Sequence, residues 1–203
     1  MLRFGCIILA AGASQRMGRP KQLLRLEGKS LVVRAAEAAL ASRAWPVIVV
    51  LGAGAERIRP ELARLPVLAV ENPSWPEGLA SSIRAGLASL QQFSRQVEGA
   101  VIALCDQPAF SSAAIGRLVA AQEQGGRSIV AARYGGRAGV PALFLRRHFP
   151  ALGALTGDEG ARHLLTRWPD EVATVDLPEL AVDLDTPADY AAAANSGPGS
   201  ASP

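Results

Sequence analysis

At 203 residues, 49% of them hydrophobic and 19% charged, the chain is long enough to bury the core of one compact domain and too apolar to be disordered. The net charge of +3 is small. Lys21 and Lys29 are the only lysines, so nineteen of the twenty-one basic residues are arginine. The basic residues are not clustered among aromatics, which argues against a nucleic-acid surface, and no stretch reaches the ~20 apolar residues of a bilayer span.

The N-terminus imitates a signal peptide: Arg3, an apolar stretch from Phe4, then Ala11-Gly12-Ala13. That stretch is at the short end of the usual ~7–15 residues and contains a glycine, so the expected compartment is the cytoplasm. Cys6 and Cys105 sit inside apolar runs and read as buried small hydrophobes in a reducing compartment. Short β-rich runs predict strands at Phe4–Leu9, Pro46–Leu51, Pro66–Val70, Ala100–Leu104 and Ser128–Ala132. Between them, helical spacing predicts helices near Ser30–Ser42, Ala55–Leu62, Gly78–Gln92 and Ser111–Gln124. Near-continuous apolar strands alternating with helices predict an α/β fold: a doubly wound, mostly parallel sheet covered on both faces.

After Ala132 the alternation breaks. The stretch RYGGRAGVPALF predicts a glycine-rich loop and then a strand at Val140–Phe144. GDEGARHLL predicts a helix with Asp158 as N-cap; VATVDL and AVDL predict two late strands. DTPADYAAAA predicts a terminal helix with Pro187 in its first turn. Residues 195–203, NSGPGSASP, have the composition of a disordered tail, which leaves 1–194 as a single domain.

Ligands of open α/β sheets bind beyond the carboxyl ends of the strands, and four such ends carry unusual polar sequence. The first runs into Ala10-Ala11-Gly12-Ala13-Ser14-Gln15-Arg16-Met17-Gly18, small residues whose peptide groups can form an anion nest, with Arg16 and Lys21 near enough in sequence to meet a polyphosphate. Its spacing is neither that of a P-loop nor G-x-G-x-x-G. The second, VIVVLGAGAERI, imitates a dinucleotide loop through Gly52 and Gly54, but Arg57 stands where a third small residue belongs, which disfavours a nicotinamide site. The third ends in Asp106, a carboxylate where a Mg²⁺ shared with phosphates would be held, with Ser111 or Ser112 the more natural cap of the following helix. The fourth, VDLDTPADY, alternates Asp183 and Asp185 with apolar residues, so both carboxylates are expected on one side of a strand, one for the metal and the other, or Thr186, for capping. His148 and His163 lack metal-like spacing and read as surface or packing residues.

Six stretches in order carry a resemblance: LAAGASQRMGRPKQLL at 9–24, NPSWPEGLASSIRAGL at 72–87, DQP at 106–108, GVPALF at 139–144, GDEGAR at 157–162 and DLDTPADY at 183–190. Together they resemble the MobA-like NTP transferases, most closely the molybdenum cofactor cytidylyltransferase branch. The resemblance implies a Rossmann-like, GT-A-like nucleotidyltransferase fold and Mg²⁺-dependent transfer of CMP from CTP to the terminal phosphate of molybdopterin, with release of pyrophosphate. It implies that Leu9, Ala10, Ala11 and Gly12 meet the base and ribose, that Arg16 and Lys21 hold the triphosphate, and that Gly78 and Ser82 line the base pocket. It implies Asp106 as the Mg²⁺ ligand and Asp185 as the second carboxylate; the residues alone leave Asp183 open for that role. The double alanine at 10–11 resembles the cytidine-using branch, the guanylyl branch having glycine at the position of Ala11. Two departures stand out: Arg25 where the family has proline, and Val140 where it commonly has a polar residue in the acceptor half. Alternatives within the resemblance are another base or phosphorylated acceptor (GTP or a sugar phosphate) and a non-catalytic chaperone that delivers molybdenum cofactor to an apo-enzyme. A molybdenum hydroxylase apo-enzyme is the implied downstream partner.

Overall fold

The apolar run that opens the chain becomes β1 (Phe4–Ala10), and every one of its residues is buried. A strand buried on both faces must lie inside a sheet, and β1 lies between two parallel neighbours, β4 (Val47–Leu51) and β6 (Gly99–Leu104). In this computed structural model, which describes residues 1–195, a seven-stranded sheet runs β5-β4-β1-β6-β8-β7-β9. Its remaining members are β5 (Leu68–Glu71), β7 (Ile129–Tyr134), β8 (Arg137–Leu145) and β9 (Val172–Asp176). Only β8 is antiparallel to its neighbours β6 and β7, so the sheet is mostly parallel, as the alternation predicts.

Period-2 alternation divides the core into two layers. Cys6, Ile8 and Ala10 of β1 face α1 (Leu31–Leu40) and α4 (Ser112–Gly125), packing with Val32, Ile115 and Leu118. Ile7 and Leu9 face α3 (Leu79–Phe93), α5 (Phe149–Gly153) and α6 (Arg162–Arg167), packing with Ile83, Leu90, Phe149 and Leu164. A third, small cluster joins Met17, Leu24 and Leu31 to Leu184, with Tyr190 of α7 (Pro187–Asn195) packed on it. It ties Leu184 and α7 to the loop after β1. Cys6 and Cys105 are both free and buried. Among the described residues no helix is long and apolar enough to cross a membrane.

Four expectations need correction. The predicted helix at 55–62 is α2 (Ala55–Ile58) followed by a 3-10 turn at Arg59–Leu62, because Pro60 has no N–H to continue the α pattern. The glycine-rich loop after Ala132 is instead the tip of a hairpin. Gly135 and Gly136, at φ 54° and 73°, make a two-residue turn that pairs Tyr134 with Arg137. The predicted strand at 181–184 does not form: Pro178–Ala181 is a 3-10 turn, and the Leu184 N–H donates to the Asp106 carbonyl at 3.1 Å instead of to a ladder. Asp158 does not cap α6, whose N-cap position is Ala161, three residues further on. The short hairpin β2 (Arg25–Leu26) and β3 (Lys29–Ser30) was not foreseen. The expected tail at 195–203 lies outside the described residues, apart from Asn195, which ends α7.

Candidate active site

Beyond the carboxyl end of β1 the chain must turn sharply, and its turn is wrapped around one buried side chain. Gln22, 1% exposed, donates its amide protons to the carbonyls of Ala10 at 2.9 Å and Gly12 at 2.8 Å. Between them, the Ala11 carbonyl accepts from the Ala53 N–H at 3.0 Å. Ser14, left-handed at φ 55°, accepts from the Lys21 N–H at 3.0 Å and donates to Gln22 Oε1 at 3.3 Å. Three successive carbonyls are thus satisfied by the protein, and what the loop has left to offer a ligand is chiefly N–H groups, which suit an anion.

The second wall comes from α3 and the turn before it. Gly78, at φ 111°, packs so closely on the 157–158 turn that a Cβ would stand 2.4 Å from the Gly157 carbonyl oxygen. Ser82 is buried and accepts, with Ser81, from the Asn72 amide at 3.1 and 2.8 Å. The dinucleotide-like loop supplies packing instead of a cofactor site: a Cβ on Gly52 would lie 2.7 Å from the Ala11 carbonyl oxygen and 2.8 Å from Trp75 Cβ. Glu71, near the position of a ribose-binding acid, is paired with Arg59 at 3.2 Å.

The charged groups close the cleft. Lys21 Nζ donates to Asp106 Oδ2 and, at 3.1 Å, to Asp185 Oδ1; Arg16 Nη2 holds Asp185 Oδ2 at 2.9 Å. Burial works against the Lys21 charge, yet the Asp106 and Asp185 carboxylates outweigh it and hold its pKa above the ordinary lysine value. At Asp185 burial is likewise outweighed, by Lys21 and Arg16, and its pKa is lowered. Asp183 behaves oppositely: burial, and then the nearby Asp106 charge, push it upward. Burial also pushes the Cys6 thiol up to about 12 and raises that of Cys105, so neither is a thiolate nucleophile.

The ten residues singled out from sequence, Leu9, Ala10, Ala11, Gly12, Arg16, Lys21, Gly78, Ser82, Asp106 and Asp185, all line one cleft of about 480 Å³. Asp183 does not. Thr186 serves as the cap of α7, its hydroxyl accepting from the Asp189 N–H at 3.3 Å while Asp189 accepts from the Thr186 N–H at 2.8 Å. Ser111 caps α4, accepting from the Ala114 N–H at 3.2 Å, which frees Asp106 from any capping duty. Val140 lines a smaller cavity of about 200 Å³ that shares Leu9, Leu79 and Leu104 with the cleft. Sequence reasoning missed Gln22, Asn72 and Trp75, although all three stand inside the quoted motifs. The signal was a polar or aromatic residue at an otherwise small or apolar stretch.

Asp106 and Asp185 fit a divalent cation. Both reach toward one point, the Lys21 ammonium, and the buried Oδ1 of Asp106 has no hydrogen-bond partner among the described residues. Two carboxylates with a spare buried oxygen are the donor set expected when phosphates complete a Mg²⁺ shell.

Comparison with known proteins accords with this architecture. The chain is 34% identical over 191 residues to nicotine blue oxidoreductase of Paenarthrobacter nicotinovorans, covering 89% of this chain and 91% of that one. It is 32% identical to the purine catabolism protein PucB of Bacillus subtilis (strain 168), covering 91% and 92%. The crystal structure of Rv0371c from Mycobacterium tuberculosis H37Rv superposes with a TM-score of 0.80 at 29% identity, over 97% of this chain and 100% of that chain. A manganese complex of Rv0371c gives a TM-score of 0.79 at 26% identity, over 96% and 99%. A model of the MobA-like NTP transferase domain matches residues 6–173, from within β1 to within β9, taking in the loop, Lys21 and Asp106. Asp185 lies past that span and is brought to Lys21 by the fold. On this match the chain belongs to the MobA-like NTP transferase family.

Proposed function

We propose that the chain transfers CMP from CTP to the terminal phosphate of molybdopterin in the cytoplasm, giving the cytosine dinucleotide cofactor and pyrophosphate. The observation that carries this reading is the meeting of Arg16, Lys21, Asp106 and Asp185 in one cleft that the loop after β1, Trp75, Gly78 and Leu79 also line. A phosphate oxygen of the acceptor attacks the α-phosphorus of CTP, and the bond to pyrophosphate breaks on the opposite side. No protein nucleophile is required; positioning and charge stabilisation suffice. Arg16 and Lys21 hold the β- and γ-phosphates and stabilise the departing pyrophosphate. The loop after β1 presents N–H donors to the nucleotide, while Leu9, Ala11, Gly78 and Trp75 enclose its apolar surfaces and limit water. Asp106 and Asp185 would hold Mg²⁺, which when bound neutralises phosphate charge; manganese in the Rv0371c complex supports a divalent requirement.

CTP over GTP rests on Ala11, which lines the cleft at the position where the guanylyl branch has glycine. The test is pyrophosphate release with each NTP, Mg²⁺ and candidate acceptors. Release with CTP and molybdopterin is expected, and release with GTP instead overturns the base assignment. Asp106→Asn is expected to lower turnover by about 10²-fold or more, the scale of one lost preorganised charge contact. Full turnover of that variant at saturating Mg²⁺ would remove Asp106 from the metal site. One relative is named an oxidoreductase, which supports a second reading in which this fold carries a redox activity. The packing of Gly52 onto Ala11 weighs against a dinucleotide there. Hydride transfer from a nicotinamide without pyrophosphate release would decide for it.

A further inference from the structure

The phosphate-binding cations and the metal-binding carboxylates of the proposed site are bonded to one another. Lys21 has a 19% exposed side chain and Asp106 a 9% exposed one, so their contact is shielded from water. Of the four oxygens of Asp106 and Asp185, Lys21 and Arg16 take three, and among the described residues only the buried Asp106 Oδ1 is without a partner. A divalent cation held by both carboxylates therefore has to share an Asp185 oxygen with Lys21 or Arg16, and it meets the Lys21 ammonium at Asp106 as well. Resting on the nucleotidyltransferase reading, we propose that Lys21 is the resident counter-ion of the carboxylate pair, competes with the divalent cation for it, and yields far more readily when a triphosphate offers the ammonium other anionic oxygens.

The geometry allows that exchange with little disturbance. The Lys21 backbone is fixed by Ser14, and its side chain lines the cleft, so a rotation of the side chain alone carries Nζ from the carboxylates toward a ligand. Lys21 cannot simply leave, because Asp106 would remain buried and uncompensated. Triphosphate binding to Lys21 and cation binding to the carboxylates are thereby linked, and the linkage is reciprocal. The cation is admitted together with the nucleotide, and the protein alone holds it weakly. Arg16, 72% exposed in its side chain and bonded to the outer oxygen of Asp185, is the lesser competitor.

The test is a Mn²⁺ titration of the full chain without nucleotide or acceptor, following free Mn²⁺ by electron paramagnetic resonance. Lys21→Met is expected to bind Mn²⁺ about tenfold more tightly than the native protein, within the usual range of site–site coupling. Lys21→Arg, which keeps the charge, is expected to show no such gain, and Lys21→Met/Asp106→Asn to lose it. In the native protein a second readout needs no variant: the Lys21 Nζ resonance, slowed in exchange by its two carboxylate bonds, is expected to broaden away on saturation with Mg²⁺. Equal or weaker Mn²⁺ binding by Lys21→Met that still depends on Asp106, or an unchanged Nζ resonance under saturating Mg²⁺, overturns the competition and leaves the metal reading standing. Absence of Mn²⁺ binding in every variant overturns both.

Discussion

Gln22 uses both amide protons on the loop after β1, and Asn72 does the equivalent for Ser81 and Ser82 across the cleft. Replacing Gln22 by Met keeps the volume and removes both donors, leaving two carbonyls short of a partner. At about 1–3 kcal/mol for each buried polar group left unmade, a stability loss of about 2 kcal/mol or more is expected in denaturant titration. A raised KM for the nucleotide is expected with it, because the loop's conformation depends on that side chain; an unchanged KM would show that the loop holds its shape without Gln22. The residues that carry charge were legible as single letters, since Asp106 and Asp185 end apolar runs where ligands bind. Gln22 and Asn72 were not. Their sequence neighbours look like those of exposed amides, and only the fold reveals that each is enclosed.

The apolar runs that became β1, β4, β6 and β7 were readable because strands buried on both faces leave little room for polar residues. The stretch at 181–184 failed for the opposite reason: four residues of alternation are equally available to an irregular segment held by one bond to Asp106. The β7–β8 hairpin was half hidden by its glycines: strands were expected at Ser128–Ala132 and Val140–Phe144, but not their extension to a tight turn at Gly135 and Gly136. Where β7 begins, Ser128 meets His148 at 2.7 Å, and Arg147, Glu171 and Trp168 surround the ring. His148 is 4% exposed, and burial holds its pKa below the ordinary value, against the pull of Glu171. A depressed histidine binds fewer protons folded than unfolded, so its stability contribution is complete above the ordinary pKa of ~6.5 and is lost as pH falls through the folded value. The unfolding midpoint is expected to drop as pH falls below about 6.5, and His148→Gln to flatten that slope. An equal slope in the variant would assign the acid sensitivity to the carboxylates instead.

Across the whole molecule, the site depends on a contact that no local pattern encodes. Leu184, fully buried, sits among Met17, Leu24 and Leu31, and so sets the following Asp185 beside Lys21. Leu184→Ala is expected to cost about 2–5 kcal/mol, as for other buried leucines, and to weaken Mn²⁺ binding by displacing Asp185. Retained Mn²⁺ affinity in a destabilised variant would separate the anchor from the site. The order of parts along the chain has a further effect. Lys21 meets Asp106 across 85 residues but Asp185 only across 164. Protein synthesis is vectorial, so a nascent or truncated chain ending before residue 185 carries the loop, the lysine and the first carboxylate without the second. Such a fragment has the means to form most of the sheet and lacks the pair of carboxylates that would commit a nucleotide to reaction. The site is finished only once residue 185 has been made and Leu184 has docked.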